Sequence, residues 1–122
     1  MDCRGSLISC SDNAVCIVLS IDPEAQVFSG HYPHFAIFPG VYLIETALQT
    51  IEYFTQAQGW GAVRMTRLDS GRLLAPVRPG DQLCCKARLL DAAFAPSASA
   101  WDVVCSVGET VAAKLRMTVR AQ

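Results

Sequence analysis

The chain has 122 residues, of which 52% are hydrophobic and 17% charged, so we expect residues 1–122 to form one domain with a packed core. Its net charge of −1 gives no general attraction to nucleic acid or to anionic membranes. No apolar stretch approaches the ~18 residues of a membrane span, and the first residues lack the basic start and apolar run of a signal peptide, so a cytoplasmic location is expected.

The N-terminal part of the chain predicts a β-hairpin. Residues 6–21 contain two extended segments, in which apolar side chains alternate, and residues 11–13 provide turn chemistry between them. Residues 28–39 then contain one glycine and two prolines, which interrupt regular structure repeatedly. We therefore expect a constrained loop after the hairpin.

The segment from Gly40 to Gln58 predicts the one long helix, with Gly59 as its C-terminal stop. Glu45, Gln49 and Glu52 form a separate stripe beside the apolar face, which predicts that Glu45 lies near the buried edge. At 100° per residue, one broad arc collects the predicted core residues Val41, Ile44, Ala47, Leu48, Ile51 and Phe54.

The rest of the chain predicts further antiparallel strands, because apolar and polar residues alternate between turn signals. The extended segments lie near residues 62–75, 82–94, 99–107 and 110–120. The order of two strands, one helix and about four strands predicts an α+β fold, in which one antiparallel sheet wraps around a single long helix.

The six cysteines are interpreted as free thiols rather than as a disulfide framework. Cys10, Cys16 and Cys105 have apolar neighbours in the sequence, and the adjacent Cys84 and Cys85 would point to opposite faces of a strand. No CxxC pair is present, and the two histidines have no acidic or cysteine partner at ligand spacing, so no metal site is expected.

The charge is distributed unevenly along the chain. Residues 1–58 hold one arginine and six acids, whereas residues 59–90 hold six cations and two acids, a net charge of +4. The basic segment suits an acidic or phosphorylated partner, although ordinary solvated strand faces would give the same count.

Three residues around the start of the helix suit an elimination reaction on a thioester. His31 is a base that titrates near neutrality and could remove a weakly acidic α-proton. A carboxylic acid in apolar surroundings, here Glu45, could protonate a departing hydroxide. The free N–H groups at a helix start, here at Gly40, could bind a carbonyl oxygen that gains negative charge.

These residues belong to a segment that resembles the bacterial 3-hydroxyacyl-(acyl carrier protein) dehydratases, which have the hot-dog fold. The resemblance lies in Gly30–Pro33, Ile37–Val41 and Glu45–Gln49, and in the "PVxPGDxL" signature within residues 72–83. Residues 108–115 resemble the last hairpin of that family. The loop departs from the family pattern, because His34 and Ala36 replace its glycine and second proline.

The resemblance implies dehydration of 3-hydroxyacyl thioesters to trans-2-enoyl thioesters, in fatty-acid or polyketide biosynthesis. His31 would be the base and Glu45 the acid, and the N–H groups of Gly40 and Val41 would bind the carbonyl. No cofactor is implied, because the substrate is carried on phosphopantetheine. The substrate tunnel would be lined by Tyr32, Phe35, Phe38 and Gln49.

The resemblance also implies an acyl carrier protein as partner and a dimer with a related hot-dog subunit, identical or not. In the family, the histidine and the glutamate of one site come from different subunits. The basic segment provides weak candidates for binding the carrier or its phosphopantetheine, namely Arg64, Arg67, Arg72 and Arg78. Two alternatives remain open, a hot-dog acyl thioesterase and a non-catalytic subunit that completes a heteromeric dehydratase.

Overall fold

The computed structural model describes residues 5–22 and 40–122, and it contains one helix and one antiparallel sheet in this part of the chain. The sheet order is β1-β2-β4-β5-β6-β3. This arrangement confirms the predicted α+β hot-dog fold. The element bounds are β1 (Ser6–Cys10), β2 (Ala14–Ser20), α1 (Gly40–Ala57), β3 (Val63–Leu73), β4 (Gln82–Phe94), β5 (Ala98–Val107) and β6 (Thr110–Ala121).

Alternation along the strands separates a face that packs on the helix from a face that meets solvent. Strand β5 shows this most clearly, since Ser99, Trp101, Val103 and Cys105 are buried and the residues between them are only half-buried. The hairpin between β5 and β6 turns at Gly108, whose φ of 58° lies in the left-handed region that glycine adopts readily. The alternation of apolar and polar residues in the sequence therefore predicts correctly which side chains face the helix and which face solvent.

The helix packs on the sheet with a face that differs in part from the predicted one. Ala47, Ile51 and Phe54 are buried as predicted, but Val41 is 67% exposed, so its placement in the core was wrong. Thr46 and Thr50 are fully buried instead. Each threonine hydroxyl donates to the carbonyl four residues earlier, at 2.7 and 2.8 Å, and this satisfies the polar atom inside the core.

The helix ends one residue before the predicted boundary, at Ala57. Gly59 follows with a φ of 76°, and the N–H of Trp60 donates to the carbonyl of Thr55 at 2.8 Å. These contacts satisfy carbonyls of the last turn that have no partner within the helix. The glycine therefore stops the helix as the sequence predicted.

An aromatic cluster joins the helix to the centre of the sheet. The ring of Phe54 lies edge-on to Trp101, with centroids 5.0 Å apart, and edge-on to Trp60 at 5.6 Å. Trp101 is fully buried, and its indole N–H donates to the hydroxyl of Ser99 at 2.9 Å. Edge-to-face contacts of this kind add to the stabilisation from burial.

The five cysteines in the described ranges are free thiols. The sulfur of Cys16 lies 3.3 Å from that of Cys84, and the sulfurs of Cys85 and Cys105 lie 3.4 Å apart. Burial and the hydrogen bond to Cys84 raise the pKa of Cys16 to about 11, and the hydrogen bond to Cys105 and burial raise the pKa of Cys85 as well. The thiols of Cys16 and Cys85 are therefore protonated at neutral pH. Cys10, which has apolar neighbours in the sequence, is exposed in the structure.

None of the helical structure in residues 5–22 and 40–122 is both long and apolar enough to cross a membrane. The same ranges contain no cluster of three histidine, cysteine or acidic side chains suited to a metal ion.

Candidate functional site

The start of helix α1 lies beside the end of edge strand β3. A Cβ atom added to Gly40 would come within 3.0 Å of Leu73 Cδ1, so glycine allows the helix to approach this strand closely. Gly40 and Val41 belong to the first turn, whose N–H groups have no partner within the helix. The partial positive charge of the helix end adds to these donors, so this position suits an oxygen that carries negative charge.

Glu45 lies on the helix side that also carries Val41. The two residues are four apart, which places them one turn from each other on the same side. The sequence placed Glu45 near the buried edge of the helix, but the side chain is exposed in the single chain. The carboxyl group is therefore accessible to a ligand or to a second subunit.

Gln49, predicted as a tunnel residue, contacts the N-terminal strand. Its side-chain oxygen accepts a hydrogen bond of 2.6 Å from the N–H of Gly5, and the hydroxyl of Tyr53 donates to the Gly5 carbonyl at 2.7 Å. A Cβ atom on Gly5 would lie only 2.4 Å from Ile17 Cδ1, so a larger residue at this position would force the Ile17 side chain to move. The two helix residues thus fix the entry into β1, and a role of Gln49 in the tunnel stays a prediction.

The other predicted residues of the reaction lie outside the described residues. These are the base His31 and the tunnel residues Tyr32, Phe35 and Phe38. The structure therefore gives the helix half of the predicted site, namely Gly40, Val41 and Glu45.

Apolar side chains beside the helix start are uncovered in the single chain. Val41 is 67% exposed, and Leu73, which contacts the Gly40 position, is 65% exposed. Leu74, the next residue in the chain after Leu73, is exposed as well. Exposed apolar residues that adjoin one another commonly mark a contact with another protein or a ligand.

The four predicted arginine candidates do not form one cluster. Arg64 lies exposed near the beginning of β3, and Arg67 on the same strand forms an ion pair with Asp69. Arg78 lies in the turn before β4, where its N–H donates to the carboxylate of Asp81 at 2.8 Å. Only Arg72 lines a large groove, which lies on the solvent face of the sheet and has a volume of about 630 Å³.

That groove contains four further cations, of which two belong to the basic segment 59–90 and two lie beyond it in the sequence. They lie at alternating positions of β4 and β6, which places them on one face, and they are Lys86, Arg88, Lys114 and Arg116. The alternation was visible in the sequence. Their proximity was not, because it depends on which strands are neighbours.

Asp102 joins two of these cations across three strands. Its carboxylate accepts hydrogen bonds from Nε of Arg116 at 2.8 Å and from a terminal nitrogen of Arg88 at 3.3 Å. The hydrogen bond and charge of Arg116, followed by the charge of Arg88, lower the pKa of Asp102 below its ordinary value of 3.8. The carboxyl group is therefore ionised, and it stabilises the fold in that form.

Replacing Asp102 by Asn is expected to reduce the free energy of unfolding at pH 7 by at most about 1 kcal/mol, because the pairs are partly solvated. A group whose pKa is lowered by folding stabilises the fold above its unfolded pKa and loses that effect as the pH falls through its folded pKa. The wild type and the Asn variant should therefore differ less at about pH 2 than at pH 7 in urea unfolding. A difference that stays constant over this range would contradict the assigned ion pairs.

Curated relatives of this chain are dehydratases. The chain is 30% identical over 86 residues to the 3-hydroxyacyl-[acyl-carrier-protein] dehydratase FabZ of Janthinobacterium sp. (strain Marseille), a match that covers 66% of this chain and 55% of FabZ. It is 40% identical over 65 residues to the FabZ of Polynucleobacter asymbioticus, covering 51% and 44% of the two chains. The chain thus spans about half the length of the curated relatives it matches.

Solved structures with low sequence identity share the fold. The E. coli PaaI protein from the phenylacetic acid degradation operon matches with a TM-score of 0.77 and 18% identity, over 95% of this chain and 82% of PaaI. The dehydratase heterocomplex ApeI:P from Xenorhabdus doucetiae matches with a TM-score of 0.75 and 19% identity, over 98% and 99% of the two chains. A hypothetical thioesterase with coenzyme A from Streptococcus pneumoniae matches with a TM-score of 0.77 and 14% identity, over 98% of this chain and 86% of the thioesterase.

The ApeI dehydratase family matches residues 8–108, which include the helix start, Glu45 and the turn before β4. This match spans most of the chain, and the hot-dog fold agrees with it. The chain therefore belongs to the ApeI-like dehydratase family.

Proposed function

We propose that this protein dehydrates 3-hydroxyacyl thioesters, carried on an acyl carrier protein, to trans-2-enoyl thioesters in fatty-acid or polyketide biosynthesis. The observation that carries the proposal is the family match over residues 8–108, which includes His31 and the helix that bears Glu45. The curated FabZ relatives, whose name states this reaction class, support the same activity. A cytoplasmic location is part of the proposal.

In the proposed reaction, His31 takes the proton from the α-carbon of the thioester. The electron pair of that C–H bond then forms the double bond between the α- and β-carbons. The C–O bond at the β-carbon breaks, and its oxygen leaves as water after it receives a proton from Glu45. The reaction needs no oxidant, reductant or cofactor, because the 3-hydroxyacyl thioester gives only the enoyl thioester and one water molecule.

The helix start would stabilise the charge that develops on the thioester oxygen. The N–H groups of Gly40 and Val41 are donors without helix partners, and Gly40 has no side chain to hinder a carbonyl. Donors fixed before the reaction stabilise such an oxyanion more than water does, because they need not reorient.

A second subunit would complete the site. Glu45, Val41 and Leu73 are exposed in the single chain, although an acid in a dehydration site must be shielded from bulk water. A dimer partner that covers this surface would supply that shielding and would bring its own His31. The partner would be a second copy or a related hot-dog subunit, as in the ApeI:P heterocomplex.

The proposal is tested by incubating the purified protein with 3-hydroxyacyl thioesters of several chain lengths, on an acyl carrier protein and on coenzyme A. Mass spectrometry should show loss of one water from the acyl group, and the reverse hydration of the enoyl thioester should also occur. Release of a free thiol without any enoyl product would contradict the proposal and favour an acyl thioesterase. Activity that appears only after a related hot-dog subunit is added would identify a heteromeric dehydratase.

A further inference from the structure

The solvent face of the sheet carries two parallel rows of side chains, each running across four strands. The cross-strand pairings place Lys86 beside Val104, Val104 beside Lys114, and Lys114 beside Arg72. Two residues further along each strand, and so on the same face, the pairings form a second row. We call the first the unpaired row (Lys86, Val104, Lys114, Arg72) and the second the paired row (Arg88, Asp102, Arg116, Ser70).

The paired row shows how a carboxylate fits this face. Asp102 lies on β5 between two cations, and it accepts hydrogen bonds from both Arg88 and Arg116. A cation on each neighbouring strand therefore reaches an anion placed at the centre of the row. The two arginines and the aspartate leave a net charge of +1.

In the unpaired row the central position is Val104 instead of an acid. Lys86 and Lys114 flank it as the two arginines flank Asp102, and Arg72 extends the row by one strand. Within residues 5–22 and 40–122 these three cations form no ion pair. The row thus has three positive charges around an apolar centre, in a chain whose net charge is −1.

The dimensions of the unpaired row select the kind of ligand. The row covers three strand spacings, about 14 Å, which is far longer than a single phosphate or carboxylate. Carboxylates at positions i and i+7 of a helix lie about 10 Å apart on one face, which matches the two strand spacings between Lys86 and Lys114. The groove of about 630 Å³ is open and partly apolar, as required for a helix with acidic and apolar residues on one face.

The unpaired row lies at the same end of the sheet as the candidate site, but on the opposite face, because successive side chains of a strand point to opposite faces. Arg72 immediately precedes Leu73, whose side chain contacts the Gly40 position at the helix start. A protein seated on this row would therefore be close to the end of the sheet at which the thioester is proposed to react.

We propose that the unpaired row is the surface on which the acidic carrier protein docks through an acidic helical segment. The identity of the partner rests on the proposed function, whereas the preference for an acidic helix rests on the row itself. Long-range attraction between the two surfaces should speed association and should weaken as salt is added.

The test measures binding of a fluorescently labelled carrier protein without its phosphopantetheine arm, so that catalysis does not contribute. Val104→Asp places a carboxylate where the paired row has one, and the dissociation constant should rise about tenfold, because Lys86 and Lys114 then have an internal partner. Val104→Asn has nearly the same size without the charge, and it should stay within about threefold of the wild type.

A second pair of variants separates position from total charge. Lys114→Glu should weaken binding by tenfold or more, because it replaces one cation of the unpaired row with a carboxylate that repels an acidic partner. Arg120→Glu makes an equal change on the same strand and the same face, about 20 Å away along β6, and should have little effect. Lys114 and Arg120 are both exposed, so neither change disturbs the core.

Equal binding of the Val104→Asp and Val104→Asn variants would overturn the proposal, as would equal weakening by the Lys114 and Arg120 changes. Displacement of the carrier by pyrophosphate at a similar concentration would also overturn it, in favour of a small-anion site. If the carrier binds as described but a 3-hydroxyacyl pantetheine thioester is not dehydrated, the proposed function fails and the docking surface stands. If the thioester is dehydrated but the carrier does not bind as described, the docking surface is rejected and the proposed function stands.

Discussion

Glu45→Gln is expected to lower kcat for dehydration by about 10²–10⁴-fold, because glutamine cannot give a proton to the departing hydroxyl. The amide has almost the same size as the carboxyl group, and Glu45 is exposed in the single chain, so the fold should be unaffected. The measurement is the rate of enoyl formation at saturating substrate, with circular dichroism and gel filtration to compare fold and assembly.

Glu52→Gln is the matched control for this change. Glu52 lies two turns further along the same helix, where it lines a small cavity with Gln49, Tyr53 and Gln56. It has no role in the proposed chemistry, so its variant should keep nearly full activity. Full activity in the Glu45 variant, or equal losses in both, would contradict the assignment of Glu45 as the acid.

His31→Ala should cause a loss of similar size, because the base that removes the α-proton is then missing. The dimer should persist in this variant, as in the Glu45 variant. A His31 variant that retains the wild-type rate would mean that another group removes the proton.

Phe54→Ala is expected to have the largest effect on stability, a loss of about 3–5 kcal/mol in the free energy of unfolding. Phe54 is almost fully buried, and its ring contacts both Trp60 and Trp101, so truncation leaves a cavity between the helix and the sheet. Small domains have about 5–15 kcal/mol of stability, so the variant should be close to unfolding.

Urea unfolding followed by tryptophan fluorescence measures this loss, at one fixed protein concentration because a dimer would add a concentration dependence. Phe54→Leu fills most of the same volume and should cost less than about 2 kcal/mol. A loss below about 1 kcal/mol for the alanine variant would contradict the packing of the helix on the centre of the sheet.

Most of the fold was predictable because local signals are strong in this chain. Alternation marked the strands, and glycines marked the ends of elements where the backbone adopts positive φ, as at Gly59 and Gly108. The predicted strand at residues 82–94 agrees with β4, and the other strand bounds differ by one or two residues. Such differences arise because the last residues of an element make few of its hydrogen bonds.

The exact core face of the helix was harder to predict. Periodicity placed Val41 on the apolar arc, but this side chain is 67% exposed, whereas Leu43 in the same turn is buried. Thr46 and Thr50 are buried because each hydroxyl bonds to the helix backbone, an arrangement that hydrophobicity alone does not indicate.

The candidate site was predicted from a motif, and only its helix half lies among the described residues. The rows on the solvent face could not have been predicted, because the position of Asp102 between Arg88 and Arg116 depends on strand order and register. Likewise, nothing in the sequence indicated that Gln49 holds the backbone of Gly5, 44 residues away.

Mixing two inactive variants tests the central claim, that His31 of one subunit and Glu45 of another form one dehydration site at the helix start. His31→Ala and Glu45→Gln protomers are unfolded together and refolded, and the rate of enoyl formation is compared with that of each variant refolded alone. A mixed dimer has one site with both native residues, so the account predicts a clear recovery of activity. No recovery, although mass spectrometry shows that mixed dimers have formed, would contradict a site shared between subunits.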